Sequence, residues 1–290
     1  MTHIELELLV RGDGAALPGD EVRGGPRVSA ALFGRIVPRT AWLGGITLLV
    51  LAMAWWITTH FAWLPPLFLP PPTSVLSQLF VVARDGYVDA TLAQHTLASL
   101  SRIFLALVAA CLTAIPLGLA IGVSPVVRGL VDPIIEFYRP IPPLAYLPLI
   151  VIWFGIGELS KVLLIYLAIF APVGISTAAG VRGVTRDRVN AARSMGASRR
   201  QVLRHVVLPS ALPDILTGIR IGLGGGWSTL VAAELVAATR GLGFMVQSAA
   251  QFLVTDVVIM GIFVIAAVAF ALEIAVRVAQ RLLVPWQGKV

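Results

Sequence analysis

The chain has 290 residues, of which 58% are hydrophobic and only 13% are charged. Because soluble globular domains carry about 25% charged residues, this composition excludes an ordinary soluble domain and indicates an integral membrane protein. The net charge of +7 does not indicate nucleic-acid binding, since the arginines gather in a few connecting segments.

Residues 1–40 are mixed in charge, rich in glycine and without a cleavable apolar run, so we predict a cytoplasmic tail. Six apolar runs follow, and each is predicted to be a membrane-spanning helix of an all-α membrane protein. A proline-rich stretch, 64–72, and an interfacial helix over 73–89 separate the first two spans. The predicted spans are residues 41–60, 97–123, 144–154, 162–179, 215–236 and 257–279.

Basic residues predict the orientation of these spans. Of the 22 Lys and Arg residues, 17 lie in segments on one side of the predicted membrane and three on the other, while Arg102 and Arg220 lie within spans. The positive-inside rule therefore places both termini in the cytoplasm.

The polar and basic segment 190–209, between the fourth and fifth spans, predicts a helix-turn-helix knob on the cytoplasmic side. Gly196 stands where a first short helix must end, since glycine adopts the left-handed closing conformation without steric cost. Ser198 and Gln201 form a capping box that begins a second short helix, and Pro209 is predicted to end it.

The first helix of this knob has small side chains at Ala191 and Ala192, which would present a smooth surface to a partner. The alternative is a solvated basic loop with no partner, in which the glycine, the capping box and the proline would have no role.

Charged residues inside spans are costly and usually paired or placed along a polar path. Arg102 and Glu234 lie near the outer ends of the second and fifth spans, and we predict that they flank the outer part of a pathway, as a pair or around a zwitterionic substrate. Glu136, Arg139 and Arg220 are predicted to form an inner cluster. The alternative for both groups is a structural ion pair that holds spans together.

The fifth span carries Gly218, Gly222 and Gly226 at four-residue spacing, followed by Trp227. Such a face lets another backbone approach closely. It predicts either a pathway-lining or gating helix at a subunit interface or plain helix packing, and both can hold.

Motifs for nucleotide and metal chemistry are missing from the sequence. A phosphate-binding G-x-x-x-x-G-K-[ST] loop is absent, since the only lysines, Lys161 and Lys289, stand in other contexts. The four histidines are scattered, without metal-ligand spacing. We therefore expect no catalytic residues, cofactor or metal in this chain.

The pattern A-A-x-x-x-G, followed nine residues later by V-x-L-P, resembles the cytoplasmic loop of ATP-binding-cassette importer permeases. Asn190 stands where that family has Glu, and Val206 where it has Ile. The likeness covers most of residues 64–286, and the segments W-S-T-L-V-A-A-E and A-A-T-R-G-L-G-F-M resemble the nitrate, sulfonate and taurine branch, with most similarity to taurine permeases. The residues that match the loop pattern are Ala191, Ala192, Gly196, Leu208 and Pro209.

This resemblance implies a type I importer permease of the plasma (inner) membrane, working as a homodimer among membrane lipids. Two separate ATPase subunits would bind ATP and Mg²⁺, and an extracytoplasmic binding protein would deliver taurine or a related small sulfonate for alternating-access import. The alternatives are another alkanesulfonate or nitrate as substrate, or, more distantly, an ion-coupled secondary carrier. The residues that would couple to the ATPase are Asp187, Asn190, Ala191, Ala192, Arg193, Ser194, Met195, Gly196, Ala197, Leu208 and Pro209; those expected along the pathway are Arg102, Glu136, Arg139, Arg220, Gly222, Gly226, Trp227 and Glu234.

The predicted domain division follows these elements. It comprises a cytoplasmic tail (1–40), the first span with its outer loop and interfacial helix (41–92), the importer core (93–284) and a cytoplasmic C-terminal tail (285–290).

Overall fold

The computed structural model describes residues 30–286, and the side chains of residues 42–286 except that of Ala237. Most of the predicted N-terminal tail and residues 287–290 of the predicted C-terminal tail lie outside this part. The described chain is helical apart from turns and one isolated β-bridge. Its α-helices are α1 (Ala30–His60), α2 (Pro72–Arg84), α3 (Leu92–Val123), α4 (Pro125–Tyr138), α5 (Leu147–Phe154), α6 (Glu158–Arg182), α7 (Arg186–Ser194), α8 (Arg199–Val202), α9 (Leu208–Ala237), α10 (Leu242–Gln251) and α11 (Thr255–Leu283).

Five stretches of the described chain are long and apolar enough to cross a membrane: Trp42–His60, α3, α6, Arg199–Val236 and α11. A sixth crossing is the pair formed by α4 and Pro143–Phe154, which is bent by 89°. Counted in this way, the structure agrees with the six predicted spans, with the third as a broken span.

The third span differs from its prediction, which began only at residue 144 and included no helix between residues 123 and 144. The structure forms α4 there, because the Ser124 hydroxyl accepts a hydrogen bond from the Val127 amide and Pro125 occupies the first helical turn. The prolines at 140, 142 and 143 then interrupt the backbone hydrogen bonds and produce the bend.

The prediction that Pro209 ends a short helix is wrong. After α8 the chain continues through a π-helical turn, Leu203–Val207, directly into α9, where Pro209 lies in the first turn. A π turn shifts the hydrogen-bond pattern, so a proline that follows it can be accommodated without ending the helix. The knob is therefore continuous with the fifth span.

Helices α3, α6 and α9 form the main core. On α3, small residues recur every four positions, at Ala106, Ala110, Ala114 and Gly118, and each is buried. A Cβ added to Gly118 would lie 2.6 Å from the Gly174 carbonyl oxygen of α6, so the two backbones pack closely.

A second core joins α2, α10 and α11 around Leu242, Met245 and Met260. The segment that begins at Gly241, between the predicted fifth and sixth spans, is therefore mostly helical. Gly241 has a φ of +137° and precedes α10, which packs its apolar side chains against α11.

Candidate functional site

In the structure the knob comprises residues 185–202, a segment that begins earlier and ends earlier than the predicted segment 190–209, and it consists of two short helices and a tight turn, as predicted. Gly196 has a φ of +84°, and its amide donates to the Arg193 carbonyl at 2.9 Å. Beyond the turn, the Ser198 amide donates to Gln201 Oε1 at 2.8 Å, and the Gln201 amide donates back to Ser198 Oγ at 3.4 Å. Glycine and capping box together fix the angle between the two helices.

The two alanines of the knob have different surroundings. Ala191 is exposed, whereas Ala192 is buried, which corrects the prediction that both form the outer surface. Successive residues on a helix point about 100° apart, so adjacent positions cannot share one face. At the end of α7, the apolar Met195 side chain is 82% exposed.

An apolar cluster attaches the knob to the spans. Ala192 and Val202 pack with Val181 at the end of α6 and with Val207 and Ala211 at the start of the fifth span. Since interiors are closely packed, displacement of the knob must displace the ends of both spans.

The outer surface of the knob is polar or small apart from Met195. Among the remaining predicted coupling residues, those of the outer surface are Asp187, Asn190, Arg193 and Ser194, whereas Ala197, Leu208 and Pro209 are half-buried.

At the opposite ends of these spans lies a polar group that we call the outer polar cluster, after its predicted side of the membrane. Its members come from α3, α6 and α9, and Glu234 is its centre, with 0% exposure. The Glu234 carboxylate accepts hydrogen bonds from Arg102 Nη1 at 2.6 Å and from Ser99 Oγ at 2.8 Å. The members are His95, Ser99, Arg102, Glu158, Lys161 and Glu234.

Arg102 joins two carboxylates. Besides Glu234, its Nε and Nη2 donate to the two carboxylate oxygens of Glu158, at 2.6 and 2.8 Å. Lys161 Nζ also donates to Glu158, at 2.8 Å. The buried charges are thus paired and hydrogen-bonded, as a low-dielectric setting requires.

The same cluster holds the segment between α9 and α10. The Gly241 amide donates to His95 Nδ1 at 3.1 Å, and the Gly243 amide donates to Glu234 Oε2 at 2.8 Å. A Cβ at Gly241 would collide with the Glu234 carboxylate, so only glycine allows this approach. Tyr87 lies beside this cluster, and its backbone carbonyl contacts His95 Nε2 at 2.9 Å. Burial raises the pKa of the Tyr87 phenol.

Arg102 and Glu234 therefore lie together, at the geometry of a structural ion pair. Their predicted role along the pathway stays a prediction, and the burial of Glu234 excludes direct substrate contact in this conformation. Sequence reasoning missed Ser99, His95 and Glu158. A usable signal existed, since residues 95, 99 and 102 share one face of a mostly apolar helix.

The inner charged residues are arranged differently from the prediction. Arg220 Nε donates to Glu273 Oε1 of α11 at 2.6 Å, so its ion pair is with a residue that the prediction did not include. Glu136 and Arg139 instead border a common cavity of about 110 Å³ together with Arg182.

The glycine face of α9 packs against α6 of the same chain. A Cβ at Gly222 would lie 3.1 Å from the Ile169 carbonyl oxygen, and one at Gly226 would lie 2.7 Å from the Ile169 side chain. Gly222 and Gly226 therefore support the prediction that this face serves helix packing. Trp227 is half-buried against two apolar clusters, and its indole N–H is buried without a hydrogen-bond partner in the described part.

Within residues 30–286, no three His, Cys, Asp or Glu side chains lie close enough together to hold a metal ion.

The chain is similar in sequence to a known family and to characterised proteins. Residues 114–288 match the family described as "Binding-protein-dependent transport system inner membrane component". The chain is 65% identical over 245 residues to the taurine transport system permease protein TauC of Escherichia coli, covering 84% of this chain and 89% of that protein. It is 34% identical over 232 residues to the putative aliphatic sulfonates transport permease protein SsuC of Escherichia coli, covering 80% and 87% of the two chains.

Among solved structures, the inward-facing MetNI methionine ABC transporter matches with a TM-score of 0.59 at 19% identity, covering 66% of this chain and 95% of that one. At this identity the likeness concerns the fold alone.

Proposed function

This chain belongs to the family of binding-protein-dependent transport system inner membrane components, and from that membership we propose that it carries taurine into the cytoplasm as the permease subunit of an ATP-driven importer. The observation that carries the choice of substrate is the 65% identity to a taurine permease over 84% of this chain. Aliphatic sulfonates and nitrate are the alternatives, since permeases named for them match at 34% and 31% identity.

The proposed assembly contains two copies of this chain, two ATPase subunits that bind ATP and Mg²⁺, and an extracytoplasmic binding protein. Permeases of this family work with a binding protein, as the family description states. A carrier driven by an ion gradient would need none of these partners.

We assign the knob to the ATPase contact. The small Ala191 side chain allows close approach, Met195 supplies exposed apolar surface, and the surrounding arginines provide a polar rim. Closure of the ATPase dimer would move the knob as a rigid unit.

The connections of the knob explain how this motion would reach the membrane. Residues 199–236 form one continuous helical stretch, and only three residues, 183–185, separate α6 from α7. Because α6 and α9 also pack closely through Gly218, Gly222 and Gly226, they would tilt together. Such rocking would open the pathway alternately to each side.

The test is reconstitution of the permease with its ATPase in liposomes, with taurine-loaded binding protein outside. We expect ATP-dependent uptake of taurine and stimulation of ATP hydrolysis by the loaded binding protein. Uptake driven by an ion gradient with this chain alone would contradict the importer assignment. Preferred uptake of nitrate or a larger alkanesulfonate would contradict only the substrate.

A further inference from the structure

A cavity of about 410 Å³ lies between the α4–α5 bend and helices α6 and α9. This volume falls within the range of roughly 300–1,000 Å³ that is typical of small-ligand sites. The residues that line it include Tyr138, Arg139, Ala168, Ser176, Gly225 and Thr229.

Arg139 provides a cation at this cavity. It is the C-cap residue of α4 and also borders the smaller cavity that Glu136 and Arg182 line, but within the described part of the chain its guanidinium forms no hydrogen bond or ion pair. Arg102 and Arg220, in contrast, are each bound to carboxylates. A guanidinium left available beside a cavity is suited to the planar or tetrahedral oxygens of an anion.

Helix α6 contributes a hydrogen-bond acceptor to the cavity. Pro172 has no amide hydrogen, so the carbonyl of Ala168 lacks its regular helical donor. Ala168 and Pro172 both line the cavity. Unsatisfied backbone groups at membrane depth are tolerated where they face a polar path, and an ammonium group is a suitable donor.

Gly225 keeps the α9 wall open. A Cβ added there would have the Ala168 carbonyl oxygen, at 3.9 Å, as its nearest neighbour, so packing does not require glycine at this position. At Gly218, by comparison, an added Cβ would lie 2.6 Å from Ser176. Gly225 therefore leaves space for something other than a protein side chain.

We propose that this cavity is a substrate site of the permease itself, in which Arg139 binds the sulfonate of a small amino-sulfonate and the Ala168 carbonyl accepts from its ammonium group. The inference rests on the proposed function, which supplies the class of substrate. It goes further by giving the membrane subunit an affinity of its own, independent of the binding protein.

The test measures binding of radiolabelled taurine to the purified permease–ATPase complex without binding protein or nucleotide. We expect saturable binding, and we expect Arg139→Gln to weaken it by about tenfold or more, the usual effect of losing a hydrogen bond to a charged group. Arg139→Lys should restore part of the affinity. The matched control is Arg128→Gln, which removes the same charge from α4 at a position that pairs with Asp132 outside the cavity.

A second pair of variants tests the geometry. Gly225→Val should raise the KM for taurine uptake because its side chain occupies the cavity, whereas Gly224→Val, where an added Cβ meets nothing within 4 Å, should not. Ethanesulfonate, which lacks the ammonium group, should bind more weakly than taurine.

The outcomes separate the two proposals. If the wild-type complex imports taurine with its binding protein but binds none alone, or if Arg139→Gln behaves as Arg128→Gln does, the site is wrong and the proposed function stands. If taurine is not imported at all, the proposed function itself is wrong, and the ligand assignment is lost with it.

Discussion

Glu234 is the residue on which the outer polar cluster depends. Its two carboxylate oxygens together bind the Ser99 hydroxyl, the Arg102 guanidinium and the Gly243 amide, and none of its surface is exposed. The carboxylate therefore joins α3 to the segment that begins α10.

Replacement of Glu234 by alanine should destabilise the permease by about 3 kcal/mol or more, because it leaves the buried Arg102 charge half-paired. Asp132→Ala is the matched control: it also removes a carboxylate from an arginine, but both side chains of the Arg128–Asp132 pair are partly exposed, and we expect a loss of at most about 1 kcal/mol. Thermal unfolding of the two variants in detergent measures the difference. Equal losses would contradict the central role of Glu234.

Helices α6 and α9 pack against each other through one face of α9. Gly218 and Gly224 lie on the same helix, yet an added Cβ would meet Ser176 and the Pro172 carbonyl at the first position and nothing within 4 Å at the second. The two positions therefore separate packing from helix propensity.

Gly218→Ala should lower stability by roughly 1–3 kcal/mol, since overpacking forces the backbones apart. Gly224→Ala should be neutral or stabilising by up to about 1 kcal/mol, because alanine favours the helix. Thermal unfolding of both variants checks the signs. A loss at Gly224 equal to that at Gly218 would mean that both faces of α9 are packed.

The knob offers a similar pair of positions. Ala191→Trp adds bulk to the exposed face and should weaken assembly with the ATPase about tenfold or more, equivalent to roughly 1.4 kcal/mol, while the permease remains folded. Ala192→Trp adds bulk to the face buried against Val181 and Val202, and should instead destabilise the permease. Copurification of the ATPase and thermal unfolding, measured on both variants, separate the two effects. Unchanged copurification of Ala191→Trp would contradict the assignment of this face.

Local sequence signals predicted the elements whose causes are local. The left-handed Gly196 and the Ser198–Gln201 capping box depend on neighbouring residues only, and the structure confirms both. Local signals could not predict the ion pair of Arg220, because its partner Glu273 is 53 positions away and no pattern around Arg220 specifies it. Likewise, the burial of Ala192 depends on which side of α7 meets the ends of α6 and α9.

The sequence also did not predict correctly where helices end. Pro209 was predicted to end a helix, yet the helix continues through it, whereas the chain does bend at the prolines 140, 142 and 143. Proline removes a donor in both places. The difference is the π turn, Leu203–Val207, a rearrangement of backbone hydrogen bonds that residue types alone did not reveal.

At the scale of the whole molecule, the functional interpretation depends on which side of the membrane holds the knob. The described helices place the knob and the outer polar cluster at opposite ends of α6 and α9. The distribution of basic residues predicts that the knob end is cytoplasmic. Only on that side could it meet an ATPase supplied with cellular ATP.

Cysteine labelling tests this orientation in intact cells. Cys111, the single native cysteine, is first replaced by alanine, and one new cysteine is then placed at Met195, which is 82% exposed, or at Asp85, whose side chain is 67% exposed. A membrane-impermeant maleimide added outside should label Asp85→Cys and leave Met195→Cys unlabelled until the membrane is permeabilised. Taurine uptake by the Cys111→Ala parent serves as the control for folding. The reverse labelling pattern would place the knob outside, where no ATPase could move it, and coupling through α6 and α9 would have to be abandoned.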